Sequence, residues 1–152
     1  MTPDTTPIAE QAFETDDQLH DMLGHLLSRA SIRQIWLFFF GADHRLMEPI
    51  MPMDDHPISP DEMCDTEDLG RLPFGRVFAE RVAWITEFIG AASVVVVWER
   101  VGPPKPTVLD LEWARTVGRE AERLGVNLRA QFTLHNGGVR QLTGAELRGS
   151  AA

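Results

Sequence analysis

Apolar positions along the chain change period several times, and each change marks a new element. From Asp16 to Arg29, Leu19, Met22, Leu23, Leu26 and Leu27 recur at three- and four-residue intervals, the spacing of one helical face. Thr15 or Asp16 can cap its start, and Arg29 suits the negative end of the helix dipole. Ile32–Gly41, IRQIWLFFFG, reads as an aromatic and β-branched strand. It turns through Gly41-Ala42-Asp43-His44 into a second strand, Arg45–Met53, whose Pro49 and Pro52 confine it to a sheet edge or a bulge.

Residues 54–70 lose all periodicity. They carry Asp54, Asp55, Asp61, Glu62, Asp65, Glu67 and Asp68 with two prolines, and so predict an acidic loop. A loop of that length in a compact domain is functional or mobile. A helical stripe then returns at Phe74, Val77, Phe78, Val82, Ile85, Phe88 and Ile89, closed by Gly90. Ala92–Val97 is a continuous β-branched run, as in strands covered on both faces.

A proline-rich elbow, RVGPPKP, follows that strand. Thr107 caps the next helix, with Asp110 at its third position in a variant of the capping box. Leu111, Ala114, Val117, Ala121 and Leu124 form its inward face, while Glu112, Arg115, Arg119, Glu122 and Arg123 form the solvated one. Asn127–Leu134 is the last major strand, and Asn136-Gly137-Gly138 turns it into a short hairpin partner.

The predicted order is α-β-β-α-β-α-β-β, a single three-layer α/β domain over residues 15–147 with a mixed β-sheet and flanking helices. Residues 1–14 read as a flexible N-terminal tail and 148–152 as a C-terminal one.

Composition narrows the partners. A chain of 152 residues is one domain's worth. Its net charge of −9 argues against nucleic acid, whose binding needs a basic footprint, and against an anionic membrane surface. No apolar run approaches the roughly 18 residues of a membrane span, and the N-terminus has no basic-then-apolar leader. The single cysteine, Cys64, excludes an internal disulfide and a multi-cysteine zinc site. These features together predict a cytoplasmic protein.

The path SVVVVWERVGPPKPTVLDLEWARTVGREAERLGVNLRAQFTLHNGGVRQL resembles the JAB (MPN) fold, in particular the C-terminal domain of the bacterial RadC family. Thr107 and Asp110 match the Ser-x-x-Asp closing that family's elbow; Leu124-Gly125-Val126 and Gly137-Gly138-Val139 match its later steps. The resemblance spans about Ile32 to Thr143. It implies a zinc held by a His-x-His-Pro motif and the elbow's Asp, with a Glu on another strand as general base. Counted back from Asp110 without gaps, the two histidine positions hold Val97 and Glu99. Valine cannot ligate a metal, so the resemblance implies a retained fold with a lost site. Glu99, Asp110 and Glu48, near the base's position, are its remnant candidates.

Other groups compete for a role. Met53–Asp65 gathers Asp54, Asp55 and His56 with Asp61, Glu62, Cys64 and Asp65, oxygen and imidazole ligands suited to a divalent cation but without a known metal-loop spacing. The same acids also suit a docking surface for a basic partner. His135 and His44 sit at turns, where an imidazole serves either as a general base or as a partner of local backbone. His20 and His25 lie five apart on the first helix and do not share a face. Cys64 is surrounded by acids that oppose a thiolate. Trp98, Arg100 and Trp113 flank the elbow, and with Trp84 they are candidates for an interaction surface or for core packing.

Three functional readings follow. The leading one is a non-catalytic JAB-like protein-interaction or regulatory module that binds another protein or itself as a homodimer, with no cofactor. The second is a metal-dependent hydrolase of peptidase or isopeptidase type with a remodelled site built from Glu99, Asp110 and His135 or His56, where zinc would act. The third is a small-molecule-sensing domain using the crevice at the strand ends.

Overall fold

The computed structural model describes residues 7–149; residues 1–6 and 150–152, parts of the two expected tails, lie outside them. The elements run α1 (Asp16–Leu27), β1 (Gln34–Phe40), β2 (Leu46–Met53), β3 (Met63–Thr66), β4 (Gly70–Pro73), α2 (Phe74–Ile89), β5 (Ser93–Glu99), α3 (Val108–Leu124), β6 (Leu128–His135), β7 (Gly138–Gln141) and α4 (Gly144–Arg148). The five-stranded sheet has the order β2-β1-β5-β6-β7. Among the described strands only β5 and β6 pair in parallel, joined by the α3 crossover.

Alternation along the central strand builds the three layers. Val95 and Val97 point to one face with Phe13, Leu19, Met22 and Leu23, so α1 covers that side. Val94, Val96 and Trp98 point to the other, against Phe78, Val82, Trp113 and Val117 of α2 and α3. All seven residues of β5 are buried, as its unbroken β-branched run requires. The mixed α/β sheet with helices on both faces is the expected architecture.

Local chemistry sets the ends. Thr15 with Gln18, and Thr107 with Asp110, form reciprocal capping boxes. Gly90 and Gly125 end α2 and α3 in the left-handed conformation at φ 71° and 72°. β2 lies on the sheet edge, with a register irregularity opposite Leu37–Phe39 and a cis Glu48–Pro49 bond.

Three expectations change. The acidic stretch 54–70 is not wholly a loop, because β3 and β4 pair antiparallel within and beyond it. Thr66 Oγ1 closes their turn, donating to Gly70 O at 2.8 Å and accepting from Leu69 N at 2.9 Å. Its strands are four residues long and half solvated, too short for an apolar period to register. A fourth helix, α4, follows Thr143, whose capping box with Glu146 starts it. Finally, residues 7–14, expected within a loose tail, include a 3-10 turn at Ile8–Glu10, a bridge between Ala12 and Arg45, and a buried Phe13 in the α1-side core. Among the described residues no helix is long and apolar enough to cross a membrane.

Candidate functional site

The C-terminal end of β5, the elbow and the first turn of α3 enclose a crevice of about 230 Å³, where open sheets usually place ligands. Six sequence candidates line it: His56, Trp98, Glu99, Arg100, Asp110 and Trp113. The fold therefore gathers residues up to 57 positions apart in the chain. What each one does there is decided by its hydrogen bonds.

Glu99 is buried, 4 % exposed, and its carboxylate is fully used. Oε2 accepts from Ser31 N at 2.7 Å, Ile32 N at 3.0 Å and Ser31 Oγ at 3.3 Å. Oε1 accepts from Gln34 Nε2 and Trp36 Nε1, both at 2.8 Å. Burial opposes its charge, but the donors from Ser31, Trp36, Ile32 and Gln34 outweigh burial and hold it below the usual carboxylate range. Glu99 thus ties the α1–β1 connection to the central strand.

Asp110 lies on the other side. Its Oδ2 accepts from Thr107 N at 2.8 Å and from Arg100 Nε at 3.1 Å. Arg100 also donates to Pro103 O at 2.6 Å and Lys105 O at 3.0 Å. One guanidinium therefore satisfies carbonyls of the elbow and pins it to the helix start. Gly102 completes the turn at φ 145°, exchanging bonds with Asn136 through its own N–H and carbonyl. The elbow is a rigid, internally satisfied turn.

Alternation explains why Glu99 and Asp110 do not form a pair. Glu99 and Val97 share the α1 face, whereas Trp98 packs toward α3, where Asp110 sits. The expected convergence of Glu99 with Asp110 is corrected on that ground. Trp98 and Trp113 are core residues, 4 % and 3 % exposed, with ring centroids 5.6 Å apart. Trp98 Nε1 donates to the buried Gln131 at 2.8 Å, which in turn donates to Ala114 O. As an exposed interaction surface, Trp98, Arg100 and Trp113 are therefore corrected to packing and elbow closure.

His56 reaches the crevice on a strap that follows β2. Arg33 holds the strap by donating to His56 O at 2.6 Å and Pro57 O at 2.8 Å, and Trp113 Nε1 donates to Ile58 O at 3.0 Å. The imidazole stands edge-on to Trp113 at 5.4 Å, and its buried Nδ1 has no hydrogen-bond partner among the described residues. Arg33 was not legible as a site residue; nothing local distinguishes it from other arginines before a strand. Asp54 and Asp55 of the same strap are exposed, as is Glu48 on the edge strand, and none of the three lines the crevice. His135 is buried and accepts from Gly137 N at 3.0 Å, a local turn contact. His44 is exposed at φ 64°. Among the described residues no three His, Cys, Asp or Glu side chains are placed to hold a metal ion.

Burial, then the charge of Arg33, push the His56 imidazole down to about 4, against the opposing pull of Asp54. His135 shifts in the same direction through burial, Arg100 and Arg140. The unfolded chain then binds more protons than the native one between about pH 4 and pH 6.5, so stability rises with pH across that window. It is full above about pH 6.5, and His56 accounts for about 2–3 kcal/mol of loss as pH falls to about 4. Urea unfolding of wild type and His56→Leu at about pH 7 and pH 4.5 checks this; the variant should show a visibly smaller difference between the two.

No protein-family model matches the chain, and no curated protein matches it either.

The exposed aromatic surface lies elsewhere. Trp84 and Phe88 on α2 are 61 % and 74 % exposed, with rings stacked 5.0 Å apart at 13°. Phe88 was expected in the inward stripe of this helix. It belongs instead to the line of Trp84, one turn away, opposite Phe78 and Val82.

Proposed function

We propose that the chain is a non-catalytic JAB-like module, cytoplasmic on the strength of its single cysteine, that works by protein contact and associates with a second copy of itself through α2. The stacked, exposed Trp84–Phe88 pair carries this reading. Aromatic side chains of this kind dominate interface energetics. Residues one helical turn apart are also self-complementary: a two-fold axis across antiparallel α2 helices sets each Trp84 against the partner's Phe88.

Arg81 pairs with Asp68 at 2.6 Å and Glu80 with Arg123 at 3.0 Å, whereas Glu87, which lies against Trp84 and Phe88, has no salt-bridge partner among the described residues and adds like-charge repulsion to the contact. The net charge of −9 also opposes association at long range, and salt screens it. Association should accordingly strengthen with ionic strength.

The elbow supports the lost-site half of the reading. Trp98 near the end of β5 and Arg100 just beyond it are the side chains directed toward Asp110. The positions that the resemblance assigns to the imidazole ligands, Val97 and Glu99, are on the opposite, α1-facing side of the strand. The Arg100 guanidinium supplies the positive charge that Asp110 faces. A metal-assisted hydrolase draws no support from Glu99, whose two oxygens already accept five bonds. The small-molecule reading keeps the crevice, but about 230 Å³ lies below the roughly 300–1,000 Å³ of typical ligand pockets.

Sedimentation velocity across a wide concentration range tests the proposal. Wild type should shift toward dimer with concentration and salt, and Trp84→Glu/Phe88→Glu should stay monomeric, its dissociation constant raised at least about tenfold. A wild-type protein that remains monomeric at the highest concentration in high salt would sink the self-association reading.

A further inference from the structure

A second concavity, of about 780 Å³, runs between α3, the start of β6 and α4. Two features distinguish it from an ordinary surface trough. The first is charge. Arg115, Arg119, Arg129 and Arg148 line it against a single acid, Glu122, on a chain whose net charge is −9. Arg129 is engaged with Asp16 at 3.5 Å and Glu14 O at 2.9 Å. Arg115 donates only to a backbone carbonyl, Glu146 O at 2.8 Å, and Arg119 to the Thr116 hydroxyl at 3.4 Å. Among the described residues no carboxylate lies within ion-pair distance of Arg115, Arg119 or Arg148.

The second is an open sheet edge. β7 covers β6 only along Phe132–His135, and the Leu142 N–H closes that pairing on Gln131 O at 2.9 Å. Before this point Leu128–Ala130 has β5 on one side and, among the described residues, no strand on the other. Backbone groups on such an edge are a template for an added strand. The α3 wall beside it is low: a Cβ on Gly118 would meet only Gln131 Nε2, at 3.8 Å, so the trough is open to a main chain.

We infer that this groove binds an acidic peptide in extended conformation, which adds to the open edge of β6 and sets its carboxylates against Arg115, Arg119 and Arg148. Main-chain pairing supplies the alignment and guanidinium–carboxylate contacts supply the selectivity, two recognition modes that combine here on one edge. The occupant is acidic because Arg115, Arg119 and Arg148 have no ion-pair partner among the described residues, and extended because the residues that β7 leaves uncovered belong to a strand. The inference rests on this groove alone and is independent of the aromatic pair on α2.

Fluorescence anisotropy of the full chain tests it, with a labelled peptide of about ten residues alternating Val and Glu, a length that spans one added strand. The Val–Glu peptide should bind and be released by salt. Arg119→Glu/Arg148→Glu, which breaks no buried contact, should weaken binding at least about tenfold. Gly118→Met, placed where a Cβ has ordinary room, should block the trough, with thermal melting to show that both variants fold. Equal binding of a Val–Gln peptide, or no loss in the arginine double variant, would overturn the charge selectivity. Equal binding of a single-stranded oligonucleotide would reduce the groove to a general polyanion surface and overturn the peptide assignment. Unchanged binding of a peptide N-methylated at alternate residues would overturn edge pairing.

Discussion

Replacing Glu99 with glutamine should lower the unfolding free energy by about 2–4 kcal/mol, since hydrogen bonds to a buried charge are worth more than neutral ones and an amide cannot accept at both ends. All five contacts at this carboxylate come from donors. An amide N–H₂ must face either Trp36 Nε1 and Gln34 Nε2 or the two backbone N–H groups of Ser31 and Ile32. One set of donors is then left unsatisfied in the interior. Glu99→Ala should cost as much or more. Chemical unfolding at about pH 7 measures both; a Glu99→Gln protein as stable as wild type, or more so, would contradict the structural role and restore the carboxylate as a site residue. The sign of the pH effect is fixed as well. Because the native carboxyl group lies below its ordinary value of 4.5, its contribution is present above that pH and is lost as pH falls below it. The histidine effect acts higher, between about pH 4 and 6.5, so the two windows join into a continuous loss of stability on acidification.

Trp113→Ala should cost about 3–5 kcal/mol, the range for removing a buried tryptophan. Its ring meets His56, Phe74, Phe78 and Trp98, and its Nε1–H holds Ile58 O at 3.0 Å. The loss should therefore extend beyond the cavity. With that anchor gone, the strap carrying His56 is left to Arg33 before Ile58 and to the Gly75 N–H on Pro60 O after it, and limited proteolysis should cut near Ile58 faster than in wild type. Trp113→Phe keeps most of the packing and loses only the N–H, so its cost should fall to about 1–2 kcal/mol. Were Trp113 a surface contact residue, alanine would leave stability within about 0.5 kcal/mol, and the melting curve separates the two outcomes.

These predictions turn on partners that sequence reading could only partly name. The resemblance drew attention to Glu99 and Asp110, and the strand-end crevice does bring both to its walls. Their spacing along the chain suggested a shared ligand set. The pleat of β5 prevents it, since a one-residue offset reverses the face to which a side chain points. Trp98 and Trp113 were equally legible as surface or core, because an aromatic next to a loop carries no local mark of its burial. Trp84 was named among the aromatic candidates, but Phe88 was assigned to the wrong face; its four-residue spacing from Trp84 was the available signal.

What the amino-acid sequence determined by itself is local: the period of α1, α2 and α3, the buried run of β5, the Thr107–Asp110 capping box, and the glycines that end the helices. Each depends on residues within one or two turns of each other. Tertiary structure decided the rest. Glu99 is bound by donors from Ser31, 68 residues away in the chain, and the elbow carbonyls of Pro103 and Lys105 are collected by Arg100, whose Nε bonds Asp110 at the head of α3. The unmatched arginines of the groove become a cluster only when α3, β6 and α4 are folded together. Long-range hydrogen bonds and charge clusters have no period along the chain. So VVVVWERVGPPKP reveals a strand and a turn by its own pattern, while the uses of its glutamate, arginine and tryptophan were assigned by segments it does not contain.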